Sequence, residues 1–301
     1  MSKSISVQAA NKVNIAGKLL DVNPGSGTLS DGRPYERATV TIRVNQTFNG
    51  KEETSDVQVS MFATEFTSTG KANPAWKSLQ DLKKMNTAQN VGIDGAANVR
   101  MTGVTLQENY FVSRTGQLID GWQLRGSFIN EVKVSDVASF STEIFIMDMH
   151  DETDREGDTT GRLVVRGGIV QYGGKLDVVD FIVENPDTAN YISSNWTVNG
   201  TVNVRGRIRV ASEEIETPAS SWGEEVPDTT TRFVRELIIT AGDDECKEED
   251  LAYDPAEIKK AFNERKAAIE QAQINARQTA PKQGAGSANA ASTSNKKYDW
   301  E

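Results

Sequence analysis

From Lys12 to Thr240 most of the chain alternates apolar and polar residues with a period of two. That pattern is what antiparallel strands with one buried and one wet face require. It is clearest in Lys12-Val13-Asn14-Ile15-Ala16-Gly17-Lys18-Leu19, in Arg37-Ala38-Thr39-Val40-Thr41-Ile42-Arg43-Val44 and in Asp56-Val57-Gln58-Val59-Ser60-Met61-Phe62. Turn chemistry separates these runs at Asn23-Pro24-Gly25-Ser26-Gly27, at Ser30-Asp31-Gly32-Arg33-Pro34 and at Phe48-Asn49-Gly50-Lys51. Helical spacing interrupts the pattern at Asn73–Lys84 and Asn185–Trp196, each opening with Asn followed by Pro and each containing a Trp.

The order of elements repeats. In the first pass three strands are followed by the Asn73–Lys84 helix, where Trp76, Leu79 and Leu82 share a face, and then by strands at Asn98–Leu106 and Asp120–Val132. A second pass begins near residue 138, with strands at Arg162–Gln171 and Lys175–Val183, the second helix, and strands at Thr201–Val210 and Thr231–Thr240. Val99-x-Met101-x-Gly103 in the first pass matches Val202-x-Val204-x-Gly206 in the second. Five short strands with a helix between the third and fourth is the order of an OB barrel, whose strand 2–3 face binds oligomers. A β-sandwich is the competing architecture, and the helix at the same place in both passes favours the barrel. The expected fold is therefore mostly β: two OB-fold-like five-stranded barrels in tandem, over residues 11–134 and 135–242, behind a flexible arm at 1–10. An acidic segment and helix (243–278) follow, the helix opening at Asp254-Pro255-Ala256-Glu257. The Gly/Ala/Ser/Asn-rich residues from 279 onward cannot bury enough to order themselves and read as a disordered linker with an acidic aromatic tip, Tyr298-Asp299-Trp300-Glu301.

Composition narrows the chemistry. One Cys and one His leave no intrachain disulfide and no four-ligand zinc site of the usual kind. The carboxylates lie in exposed runs, His150 has no Ser partner arrangement, and the Gly-Gly pairs at 167–168 and 173–174 do not open helices, so neither acid/base catalysis, a nucleophilic triad nor a phosphate loop is expected. Asp148, Asp151, Asp154 and Asp158 depart from EF-hand spacing. The reading is a non-enzymatic chain with no metal and no cofactor. Its start lacks an apolar leader core and no stretch approaches a membrane span, so no membrane association and a cytoplasmic location are expected. The net charge of −10 is uneven: residues 1–135 hold 15 Lys+Arg and 12 Asp+Glu, residues 136–301 hold 18 and 31. A negative total does not exclude nucleic acid, because the field at a groove decides.

Binding readings have more support. Strand phase puts Arg205, Arg207 and Arg209 in one row, about 6.6–6.8 Å apart, near the reach of successive phosphates on an extended strand. Arg162, Arg166, Lys175, Arg232 and Arg235 lie on neighbouring strands. The alternative is that this row pairs with the Glu-rich loop at 213–225, which could also cover it until a ligand displaces it. In the first pass cations interleave with aromatics: Arg33, Arg37, Arg43, Lys51, Arg114 and Arg125 as phosphate contacts, with Tyr35, Phe48, Tyr110, Phe111 and Trp122 as stacking surfaces. Trp76, Phe62 and Phe128 read as core.

Phe233-Val234-Arg235-Glu236-Leu237-Ile238-Ile239-Thr240-Ala241-Gly242, followed by Tyr253-Asp254-Pro255-Ala256-Glu257-Ile258-Lys259-Lys260-Ala261 and Glu264-Arg265-Lys266, resembles the end of two-OB-fold single-stranded DNA-binding proteins of tailed bacteriophages. Residues 161–183 and 201–210 are similar to the second barrel of that family, and 11–132 are compatible with its first. The resemblance implies protection of single-stranded DNA during replication, recombination or repair. The tip at 298–301 is similar to the acidic aromatic end through which bacterial single-stranded DNA-binding proteins recruit replication and recombination partners. Homo-oligomer formation is compatible with this reading. The rival reading is a structural or adaptor β-domain protein, such as a virion component, with no nucleic-acid affinity. RNA or glycan binding on the same fold is a third.

Overall fold

The computed structural model describes residues 2–48, 50–113, 116–154, 157–216, 229–248 and 251–279. The first three strands are β1 (Asn11–Thr28), β2 (Pro34–Phe48) and β3 (Lys51–Thr64). Asn23-Pro24-Gly25-Ser26-Gly27, expected as a turn, lies inside β1, which stays paired with β2 as far as Thr28↔Pro34. Helix α1 (Pro74–Leu82) starts where Asn73 accepts a hydrogen bond from the Ala75 N–H, and it buries Leu79 and Leu82. A second helix, α2 (Ala88–Gly95), follows; none of its side chains is buried and its backbone breaks at Gly92 (φ 77°), which is why no apolar period announces it in the sequence.

Then come β4 (Asn98–Glu108), a small hairpin of β5 (Phe111–Val112) and β6 (Leu118–Ile119), β7 (Trp122–Gly126) and β8 (Phe128–Glu131). The stretch expected as one strand, Asp120–Val132, is thus two. β7 runs antiparallel to the distal end of β4, and after Gly126 the chain turns so that β8 pairs with the proximal end, Val99↔Glu131 through Thr102↔Phe128. A Cβ on Gly126 would stand 2.7 Å from Met101 Cε and 3.0 Å from Val59 Cγ1, so a larger residue there would have to push the Met101 side chain aside where the strand crosses the core. Strands β1, β2, β3, β7 and β4 form a hydrogen-bonded ring, closed by the β1–β4 pairing and resembling an OB-fold sheet.

The second set holds β9 (Val137–Thr153), β10 (Thr159–Val170), β11 (Leu176–Val183), α3 (Pro186–Asn195), β12 (Thr201–Glu216) and β13 (Thr229–Gly242). Its strands are joined in the order β10-β11-β13-β12-β9, and β10 also pairs with β9; the β11–β13 pairing is parallel. β1 sews the sets together, because Asn11–Ala16 pair with β9 on one side while Val13–Lys18 pair with β4 on the other. One apolar cluster runs through both.

Helix α4 (Pro255–Thr279) packs back on the molecule, with Ile258 buried and Arg265 ion-paired to Glu108, whose side chain is 4% exposed. The N-terminal residues, expected as a flexible arm, are held by the same segment. Lys3 donates its N–H to Ala252 O and its ammonium to buried Glu143, and Glu257 accepts the Ile5 N–H at 2.7 Å. Residues 280–301, including Tyr298, Asp299, Trp300 and Glu301, lie outside the described part.

Candidate functional site

The outer face of the first ring carries an open groove of about 900 Å³. Its floor follows from strand phase: Val57, Val59 and Met61 of β3 point to the core, so Gln58, Ser60 and Phe62 are turned outward. Pairing aligns Asn23 with Thr39, Thr39 with Ser60, and Ser60 and Thr105 with Arg125, so one polar row crosses β1, β2, β3, β7 and β4. One step along, Arg37 lies opposite Phe62. By sheet spacing the Arg37 and Arg125 backbones are about 12 Å apart.

Aromatic surface stands beside these cations. Phe62 is 52% exposed, and Tyr35 lies 5.2 Å from it, centroid to centroid, with the rings tilted by 31°. Tyr35 and Arg37 cross β1 at Gly27 and Gly25, where a Cβ would stand 2.6 Å from Tyr35 Oη and 2.8 Å from Arg37 Nε. The two glycines are therefore strand residues that leave slots for groove side chains. Beyond the Gln107↔Gln123 pair the β4–β7 ladder leads into the β5–β6 hairpin, where Tyr110, Phe111 and Ile119 are exposed. Among the described residues neither Arg37 nor Arg125 has a carboxylate partner. A polyanion meets two available guanidinium groups there, next to a ring pair.

The second set is different, and here the row of arginines departs from expectation. β12 keeps its phase against β9 through Arg205↔Ser141, Gly206↔Phe140 and Arg207↔Ser139, and the bulge in its pairing with β13 falls at Thr240, skipped between Arg205↔Ala241 and Gly206↔Ile239. Arg205 stays exposed and pairs with Asp243. Arg207 turns into the contact between the two strand sets. It is 8% exposed, pairs with Glu53 of β3 and with Glu184, and lies 4.3 Å from the Phe48 ring. Arg209 pairs with Glu236 at 3.3 Å, and Arg162 with Glu152 at 2.6 Å and Glu236 at 2.8 Å. The Glu152 carboxylate, against some desolvation, holds the Arg162 guanidinium well above its ordinary pKa. The row is neutralised by Glu53, Glu184, Glu236 and Asp243; of the 213–225 loop, 217–225 lie outside the described residues, as do the side chains of 213–216.

The other candidates are placed as follows. Arg166 pairs with Asp180 at 2.8 Å, and Lys175 is exposed beside the 171–174 turn. In the first ring Arg33 pairs with Asp31 in the β1–β2 turn and Arg43 with Asp56, while Lys51 is exposed. Arg114 and the Arg232 side chain fall outside the described residues. Two stacking candidates are covered: Phe48 by Arg207, and Trp122, 7% exposed, by the Arg235 guanidinium 4.5 Å from its ring. Burial lowers the Arg235 pKa. Conversely, Phe62 and Phe128, expected in the core, are 52% and 37% exposed. The alternation itself carries the signal for Phe62, which falls in phase with Gln58 and Ser60. Among the described residues no group of three or more His, Cys, Asp or Glu could hold a metal ion, and no described helix is long and apolar enough to cross a membrane.

A family model described as YorF matches residues 9–275. No curated protein matches the chain. Among solved structures, the wild-type single-stranded DNA-binding protein from Thermus aquaticus aligns with a TM-score of 0.50 and 12% identity, over 82% of this chain and 98% of that one. A deletion variant of the same Thermus aquaticus protein aligns with a TM-score of 0.48 and 12% identity over the same shares. The first likeness establishes a shared fold.

Proposed function

The chain belongs to the YorF family, and we propose that it is a sequence-tolerant single-stranded DNA-binding protein built on two tandem OB barrels, residues 11–134 and 135–242. The observation that carries this reading is the first-ring groove, in which Arg37 and Arg125, without carboxylate partners among the described residues, flank the ring pair of exposed Phe62 and half-buried Tyr35. Phosphates would meet the two guanidinium groups, with Arg33 at the adjoining β1–β2 turn and Lys51 at the far end of β2. Bases would stack on Phe62 and Tyr35, and toward the hairpin on Tyr110 and Phe111. Every base has a ring face, whereas hydrogen-bonding edges differ, so a stacking groove tolerates sequence. The likeness in fold to a protein named for single-stranded DNA binding supports the reading. The role that goes with it is coating and protecting single strands during phage replication, recombination or repair in a bacterial cytoplasm. Tyr298, Asp299, Trp300 and Glu301 would recruit a partner enzyme.

Titration of fluorescein-labelled oligo(dT) at several salt concentrations tests this. Arg37 and Arg125 alone give a slope of log K against log[salt] of about −1.4, and each further cation adds about −0.7. Absence of binding sinks the reading and leaves the adaptor alternative; preference for RNA or oligosaccharide competitors redirects it. Deleting residues 298–301 should leave oligonucleotide affinity intact and abolish capture of a replication partner.

A further inference from the structure

We infer that only the first ring holds the nucleic-acid strand, and that the arginines of the second set serve to clamp the two sets together, so that each chain has one strand-binding site. This rests on the single-strand reading above. The two sets share an order of elements, and that symmetry alone would give each chain two sites. The charges oppose it.

In the first ring Arg37 and Arg125 point into an open groove and leave no described carboxylate neutralised. In the second set every arginine whose side chain is described is already committed. Arg162, Arg207 and Arg209 share Glu184 and Glu236, Arg166 holds Asp180, Arg205 holds Asp243, and Arg235 lies over Trp122 of the first ring. Lys175 is the exception among the described residues. Arg207 spans to Glu53 of β3, and Ser55 Oγ accepts the Val210 N–H, so the same strand that carries the arginine row is the one docked on the first ring. A phosphate arriving at that row would have to displace buried or half-buried carboxylates and leave them unpaired, which costs more than the new contact returns. The long-range field agrees: residues 1–135 sum to +3 and residues 136–301 to −13, which steers a polyanion to the first ring.

The test is a stoichiometric titration of the full chain with labelled (dT)8, an oligonucleotide of the size one OB fold accommodates, at protein concentrations far above Kd. One mole per mole of chain is expected, and R37A/R125A should weaken binding at least tenfold while keeping the wild-type melting temperature, because both side chains are exposed. R166A/K175A should change affinity less than twofold. Two moles per chain overturn the inference, as does a loss in R166A/K175A equal to that in R37A/R125A. If (dT)8 and longer oligo(dT) both fail to bind, the single-strand reading itself falls, and this inference with it. Binding at two sites removes the inference alone.

Discussion

Phe62 is an aromatic held half in water by strand phase, and its neighbours explain why that is tolerated: Tyr35 covers one side and Arg37 is its cross-strand partner. Because the ring is not in the core, Phe62→Ala should leave the melting temperature within a degree or two. It should lower oligo(dT) affinity by the loss of one stacked base, about 1–3 kcal/mol or roughly 5- to 150-fold; a stability loss with unchanged affinity would place the ring in the core after all. Asp177 gives a second prediction with a definite sign. Burial, opposed by the Glu108 N–H it accepts and reinforced by the Glu108 charge, raises its carboxyl above the ordinary value. The folded state then keeps a proton that the unfolded chain has already released, so stability falls as pH rises from the ordinary carboxylate range through the raised value. Below that range the penalty disappears. Asp177→Asn, whose amide oxygen can still accept the Glu108 N–H, should therefore melt higher than wild type at pH 7, with the gap shrinking toward zero near pH 3.5. A gap that persisted there would assign the effect to packing.

At the scale of elements, what the alternation reveals and what it hides have the same origin. Period two depends on the buried face alone, so most strands of both sets, α1 and α3 with their Asn-Pro starts, and α4 with its Asp-Pro-x-Glu start are legible, whereas β9 shows only as the start of a second pass near residue 138, β5 and β6 are too short to alternate, and Asp120–Val132 reads as one strand where β7 and β8 stand. Features set by backbone approach are not. The Asn23–Gly27 segment looks like a turn, yet its glycines sit in β1 to make room for Tyr35 and Arg37. The Arg205–Arg209 row looks uniform, and strand phase keeps it in register, yet Arg207 alone of the three meets Glu53 and the Phe48 ring of the first set and is covered by them. Ion-pair partners distant in sequence are equally invisible, and Glu53 lies 154 residues from Arg207. These are the reasons that the candidate cations were legible as a set while their division into open and neutralised groups was not. Gly206→Ala tests the close approach of β12 to the Ile238 carbonyl and the Phe140 ring. With carbonyl and Phe140 ring both inside contact distance, it should destabilise by about 1–3 kcal/mol or more, read as a lower denaturant midpoint; a neutral outcome would mean the strands can separate there at no cost.

Across the whole molecule the two strand sets do not meet as separate bodies. β1 contributes to the ladder of each, the apolar cluster is continuous, and the N-terminal residues and α4 tie the far end, through Lys3 on Glu143 and Arg265 on Glu108. The Arg207–Glu53 pair closes the contact on the side of β3. Strand pairing and core together imply that neither set keeps its edges covered if the other unfolds, so the described part of the chain should melt in one transition, with the calorimetric and van't Hoff enthalpies equal. Removing the arginine takes the cation from Glu53, about 30% exposed, whereas Glu184, equally exposed, keeps Arg162 at 3.6 Å and Arg209 at 4.0 Å. Because both carboxylates keep some water, Arg207→Ala should cost about 1–3 kcal/mol, less than a fully buried pair would. If the clamp acts on the contact between the sets and not within one of them, R207A should broaden or split the transition while the oligonucleotide groove, which lies on another face of the first ring, keeps its affinity at temperatures below the onset of melting. A single sharp transition at the wild-type temperature would show that β1 and the core join the two sets without help from the ion pair.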